Sequence, residues 1–295
     1  MFDEPMRVTT LLPLFLMAAL FQGCIDEEPV PINFRVKVKP LRDTTYVGPT
    51  PAAQDKHVVL YDITGVRCNN CPQAAVKAKQ IEAARGGKVH VLAVYITPMP
   101  NLTAPWRGYD TLTTPIADQM IASTGVSVNS LPNGMVDQAE FGSSRVISVN
   151  EWEARVSDRL AETSPVNMEL STSWDATAKE AVITLKMAYN SDKSNETHRY
   201  TIALTEGGIV GKQSDKDTAG GIRYFYSHNH VLRTTITAPG GDLLTESLVA
   251  GRVFEKQYRY KPAGNFKPAD MHVVAFVQRD SDRTILNGRE TDLIP

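Results

Sequence analysis

Two of the three cysteines in this 295-residue chain stand close together as Cys68-Asn69-Asn70-Cys71, and Pro72 follows directly. Proline suits the first turn of a helix, where its missing N–H would have no partner in any case. A helix opening at the pair would aim its dipole and unpaired N–H groups at Cys68 and favour the thiolate, and Arg67 would add positive charge beside it. Cys71, one turn along, would then stand within reach to resolve a mixed disulfide by exchange. A zinc site would need two further ligands at suitable spacing, and the neighbouring sequence offers none. The other distinctive string is Tyr226-Ser227-His228-Asn229-His230-Val231-Leu232-Arg233. On a strand, His228 and His230 would share a face, which makes a metal pair conceivable. No cysteine or carboxylate joins them, so histidines hydrogen-bonded across a sheet or domain interface are the preferred reading, with Arg233 paired to an acidic group. No G-x-S-x-G, P-loop or H-E-x-x-H occurs, so hydrolase and nucleotide-binding chemistry lack support. Neither a cofactor nor a metal is expected.

The elements that must position the cysteines lie on either side of them. Val58-Val59-Leu60-Tyr61 predicts a short buried strand, Gln73 to Arg85 a helix that Gly86-Gly87 ends, and Val89 to Tyr95 a central parallel strand after the crossover. This is a βαβ unit with the cysteines at its turn. Asn150 and Glu153 read as a capping box opening a helix whose Trp152, Val156 and Leu160 share one face. From Thr97 to about Thr114, Pro98, Pro100 and Pro105 flank Trp106 and Tyr109 in an insertion. It either covers the cysteines, forms a binding rim, or is a surface loop packed on its own aromatic residues. Residues 55–164 in this order resemble a thioredoxin-like α/β domain. The resemblance implies that Asp62, six residues before Cys68, is a buried acid that helps to deprotonate Cys71. It also implies that Leu131-Pro132 is a cis peptide set against the disulfide. The tryptophan usual before the first cysteine is absent, which puts general redox turnover in doubt.

At the N-terminus, Leu11 to Phe21 form an apolar run that ends in Phe21-Gln22-Gly23-Cys24 and turns acidic at Asp26-Glu27-Glu28. The run is about half the ~20 residues that span a bilayer, which fits a signal peptide over residues 1–23. Asp3 and Glu4 oppose the usual basic start, whereas initiation at Met6 before Arg7 would restore it, so Met1 and Met6 both stand as initiators. Gly23-Cys24 resembles a lipobox, the signal for acylating Cys24 and cutting before it; the alternative is ordinary cleavage that leaves a free thiol. Lipidation of Cys24 leaves Cys68 and Cys71 to each other in a compartment where disulfides persist. Ile25 is not the aspartate of inner-membrane retention. A lipid anchor in the outer membrane is therefore expected, with the acidic run favouring surface display over the periplasmic side. Residues 24–54, with prolines at 29, 31, 40, 49 and 51, read as a tether in which Phe34-Arg35-Val36-Lys37-Val38 adds one alternating strand. A net charge of −2 gives no pull toward nucleic acid.

From about Pro165 the pattern becomes alternating and stays so. Val166, Met168, Leu170, Thr172 and Trp174 share one face, as do Ile183, Leu185, Met187 and Tyr189, and Val273 to Val277 form a late buried strand. Residues 165–295 are expected to be an all-β immunoglobulin-like sandwich. Asp62-Ile63-Thr64-Gly65, Cys68 to Pro72, and His228 to Arg233 together resemble the Omp-twenty-eight-related outer-membrane lipoproteins, over nearly the whole mature chain. That resemblance implies an exported lipoprotein with a thioredoxin-like domain before a β-rich one, and implies no substrate. Two functions stay open. The preferred one is a non-catalytic envelope protein, its disulfide a staple and its loops or sandwich binding a protein or glycan. The other is a lipid-anchored thiol–disulfide oxidoreductase using Cys68, Cys71, Asp62 and Pro132.

Overall fold

The computed structural model describes residues 38–109 and 111–295. Residues 1–37, and with them the expected signal peptide, Cys24 and Phe34 to Lys37 of the expected first strand, lie outside the described residues. The chain runs β1 (Arg42–Val47), β2 (Val58–Thr64), α1 (Cys71–Ala84), β3 (Val89–Tyr95), α2 (Pro100–Thr103), α3 (Pro115–Ser123), β4 (Asn133–Val136) and α4 (Trp152–Leu160). Strands and turns follow: β5 (Val166–Asp175), β6 (Glu180–Tyr189), β7 (His198–Glu206), β8 (Ile209–Ser214), β9 (Ile222–His228), β10 (Val231–Thr235), β11 (Asp242–Leu243), β12 (Arg252–Tyr260), β13 (Met271–Arg279) and β14 (Ile285–Asp292).

Every residue of β2 and β3 is buried, as a strand covered on both faces requires. Successive side chains alternate, so Val59, Tyr61 and Ile63 meet α3 residues Ala117 and Met120 on one face, while Val58 and Leu60 meet Ala74, Ala78 and Ile81 of α1 on the other. Asp62 shares the α1 face, one step nearer the cysteines. The two strands pair in parallel, Val58 with Val89 through Thr64 with Tyr95. Strand β4 runs antiparallel along the far side of β2, Asp62 opposite Gly134. Beyond β4 the chain returns to it only through one bridge between Gly134 and Ile147. A side chain at Gly134 would run into the Tyr61 carbonyl and stand 2.7 Å from the Trp152 ring. The capping box falls two residues earlier than the sequence suggested, on Ser148 and Glu151, because a 3-10 turn over Val149–Glu151 precedes α4.

Strands β1, β12, β6 and β5 form an antiparallel sheet packed against the larger sheet. Between them lie Ile183, Leu185, Met187, Tyr189 and Phe254 of one layer, and Tyr200, Ile202, Leu204, Val273 and Ala275 of the other. Strand β1 is a correction: it occupies the expected tether and pairs with β12 from Arg42–Gln257 to Val47–Arg252, its β-rich Thr44-Thr45-Tyr46-Val47 being the signal.

The larger sheet has the order β14-β13-β7-β10-β3-β2-β4, so its strands cross the boundary expected between residues 164 and 165. The two layers pack as a sandwich does, but the larger one is not confined to residues 165–295. The open edge of β3 takes β10 as a parallel neighbour, and Ala93 N–H donates to the His230 carbonyl at 2.8 Å. One core cluster accordingly mixes Tyr61, Leu92 and Val94 with Ala203, Leu232, Val274 and Phe276. The far edge also returns toward β2, where Ile285 N–H donates to the Asp137 carbonyl at 2.7 Å and His57 N–H to Asn287 Oδ1 at 3.0 Å. Asp137 lies buried there between Lys56 Nζ at 2.6 Å and Arg159 Nε at 3.0 Å.

Candidate functional site

Cys71 opens α1, Cys68 stands in the turn before it, and the two are joined as a disulfide. Each is only 2% exposed. The cover is the β8–β9 hairpin from the far half of the chain. Gln213 Nε2 donates to the carbonyls of Gly65 at 3.2 Å and Cys68 at 3.0 Å. Ser214 N–H donates to Val66 at 2.9 Å and Lys216 N–H to Asn69 at 3.0 Å, so the hairpin grips four carbonyls of the cysteine turn. Gln73, in the first turn of α1, adds a bond to Asp215 at 2.9 Å.

Arg67 is not spent on Cys68. Its guanidinium donates to the carbonyls of Ala104 and Pro105 at 2.8 and 3.0 Å and lies 4.2 Å over the Trp106 ring. Trp106 in turn donates to the Val66 carbonyl at 3.2 Å. The insertion therefore packs on the cysteine turn, and Gly65 is required where α2 approaches, since a Cβ there would collide with the Leu102 carbonyl. Lys212 of β8 lies 4.3 Å from the same indole and 5.0 Å from the Tyr224 ring, which fastens hairpin to insertion.

Beside Cys71 is a cavity of about 490 Å³ between α1 and β9. Asp62 lines it, and burial pushes its carboxyl up to about 7. Its Oδ1 has no hydrogen-bond partner. Tyr95 OH and His228 Nδ1 are 2.9 Å apart, and the Tyr226 ring meets His228 edge-on at 4.8 Å. Burial holds His228 down near 4, so its imidazole is neutral at pH 7, and pushes the Tyr226 phenol up to about 12.

His228 and His230 do not share a strand face. Strand β9 ends at His228 and β10 begins at Val231, with His230 between them in a left-handed conformation, φ 55°. His228 turns to Tyr95, whereas His230 Nε2 lies 3.5 Å from Glu82 of α1. Arg233 pairs with Glu206 at 3.2 Å, the acidic partner expected of it. The Leu131–Pro132 peptide is cis, and the Asn133–Ile63 pairing places Pro132 beyond the end of that ladder, toward Thr64 and the cysteine turn. Among the described residues no three His, Cys, Asp or Glu side chains converge as a metal site. The sequence reading missed Gln213 and Tyr95 as site residues, which no local motif marks, and gave Tyr226 no role although it opens the His228 string.

A family model described as outer membrane protein Omp28 matches residues 118–293. That span takes in Pro132, the covering hairpin and His228, and stops short of Asp62, Cys68 and Cys71. Among solved structures, HBP35 of Porphyromonas gingivalis aligns with a TM-score of 0.65 at 20% identity, over 82% of this chain and 77% of that one. A domain of the outer membrane lipoprotein Omp28 from Porphyromonas gingivalis aligns with a TM-score of 0.31 at 16% identity, over 45% of this chain and 90% of that one. No curated protein matches the chain. The likeness to HBP35 concerns fold, and the family model covers more than half of the residues, including the hairpin that closes the site; the chain belongs to the Omp28 family of outer membrane proteins.

Proposed function

We propose that this chain is a lipid-anchored outer-membrane protein of non-catalytic, binding type, in which the Cys68–Cys71 disulfide staples a thioredoxin-like scaffold. The observation that carries this reading is the burial of both cysteines beneath a hairpin bonded to four carbonyls of their turn. Thiol–disulfide exchange needs an attacking sulfur to reach the disulfide, and at 2% exposure beneath the hairpin the two sulfurs offer little surface to it. The family's description supports the compartment. Residues 1–23 act as signal peptide, Cys24 carries the lipid, and the acidic run after it favours the cell surface; the partner is a protein or glycan. Reduction of the native disulfide by a small thiol should be limited by opening of the hairpin, and so be independent of thiol concentration. Cys71→Ser should trap no envelope protein. Cys24→Ala should move the protein from the membrane to the soluble fraction, and protease shaving of intact cells reads the face on which it lies.

One observation favours thiol–disulfide exchange as a second reading: Asp62, buried beside Cys71 with its carboxyl raised to about 7, is suited to take a proton from that cysteine. Cys68 would then attack, Cys71 would resolve, and Pro132 would present backbone to the substrate once the hairpin lifts. Mixed disulfides trapped by Cys71→Ser would establish this reading over the first.

A further inference from the structure

The floor of the cavity between α1 and β9 holds a carboxyl that lacks a hydrogen bond at one oxygen. Asp62 is 2% exposed, and buried carboxylates are ordinarily paired with a cation. His230 and, from β13, His272 line the same cavity. Strand β3 contributes Tyr95, β9 contributes Tyr226 and His228, and α1 contributes the disulfide-bonded Cys71. The two phenols stand near enough for the carboxylate's charge to help raise both of them. Tyr95 and His228 meet edge-on at 5.8 Å, and Tyr226 and His228 at 4.8 Å, which makes a small aromatic cluster in the same cavity as the carboxyl.

Toward the mouth the walls become apolar. Pro72 and Val76 come from α1, and Phe225, 88% exposed, from β9. Two cations stand at the rim, Lys79 and Arg223, and Arg223 is paired with Asp215. Aromatic rings attract an ammonium group electrostatically, most strongly where water is excluded, and a carboxylate among them supplies the counter-charge. An apolar stem would lie against Val76 and Phe225.

We propose that this cavity binds an organic ammonium group on an apolar stem, with Asp62 as counter-ion, Tyr95 and Tyr226 as the aromatic enclosure, and Val76 and Phe225 against the stem. The assignment rests on the reading of the chain as a binding protein and gives the chemical class of its ligand. The group can come from a free amine or from a lysine side chain of another protein.

The test is titration calorimetry on the full mature chain with hexyltrimethylammonium, with a blocked lysine peptide, and with hexanol as the neutral control. Binding of the small cation alone assigns a free amine, binding of the peptide assigns a protein's lysine, and either supports the site. Since Asp62 is largely protonated at pH 6, binding there should release on the order of one proton, seen as a heat that differs between buffers, and affinity should rise about tenfold by pH 8. Asp62→Asn should abolish binding, and Tyr226→Leu, at a half-buried ring, should weaken it while the protein still melts cooperatively. Equal binding of hexanol, binding retained by Asp62→Asn, or binding of neither cation would overturn the proposal. Envelope partners trapped by Cys71→Ser while ammonium binding persists would remove the non-catalytic reading and leave the cavity assignment standing. An unreactive disulfide with no ammonium binding would do the reverse.

Discussion

Asp62 works against the fold whenever it is charged. Burial pushes its carboxyl up to about 7 in the folded chain, against about 3.9 for an unfolded aspartate. The folded state therefore holds the proton more tightly, and this residue's contribution to stability falls as pH rises from about 4 to about 7, by at most about 4 kcal/mol. Asp62→Asn should melt close to wild type at pH 4 and several degrees above it at pH 8, in thermal unfolding followed by circular dichroism. A wild type as stable as the variant at pH 8 would show that the carboxyl is solvated. The difference between the two proteins also separates Asp62 from His228, whose lowered pKa acts in the opposite sense over the same range. The placement of Cys68, Cys71 and Asp62 near one another was legible in the sequence because it depends on distance along one strand and one helix start. The histidine pair was not, because the left-handed backbone at His230 breaks the strand. Asn229 just before it was the available turn signal.

Among the elements, the β8–β9 hairpin controls access to the disulfide. Gln213→Ala would leave the carbonyls of Gly65 and Cys68 without their side-chain donor, at a cost of about 1–2 kcal/mol concentrated in the hairpin contact. Opening should become roughly tenfold more frequent, and reduction by a small thiol faster by the same factor. An unchanged rate would mean that the cover lies elsewhere. Strand β4 depends on an equally local condition. Gly134→Ala would press a methyl group into the Tyr61 carbonyl and the Trp152 ring, and should cost about 3 kcal/mol in denaturant unfolding. The helices and buried strands around the cysteines could be read from periodicity and end signals. The hairpin's placement could not, since Gln213 and Cys68 are 145 positions apart and no pattern of either segment specifies the other.

For the whole molecule, the change of period near residue 165 marks a real change from helix to strand, but hydrogen bonding and packing continue across it. Ala203, Leu232, Val274, Phe276 and Ile285 complete the core on the inner face of β2 and β3. Arg159 likewise donates to the Ile285 carbonyl at 3.0 Å. A fragment ending at residue 164 should therefore expose that core, bind a hydrophobic dye and lack a cooperative thermal transition. A sharp melt of the isolated fragment would show that the thioredoxin-like half is self-sufficient. The sequence could not report the β10–β3 join, because Val231 and Ala93 form a single parallel register pair and either segment alone reads as an ordinary buried strand.

The cover over the cysteines also fixes an order of events. A chain that emerges from its N-terminus presents Cys68, Cys71, their helix and the adjoining strands well before the hairpin that will enclose them. During that interval the sulfurs are open to every oxidant and thiol around them, and after closure they are not. Their oxidation state is then a record of the conditions of maturation. Oxidised and reduced molecules made at different times would persist side by side in one compartment, exchanging only as fast as the hairpin opens.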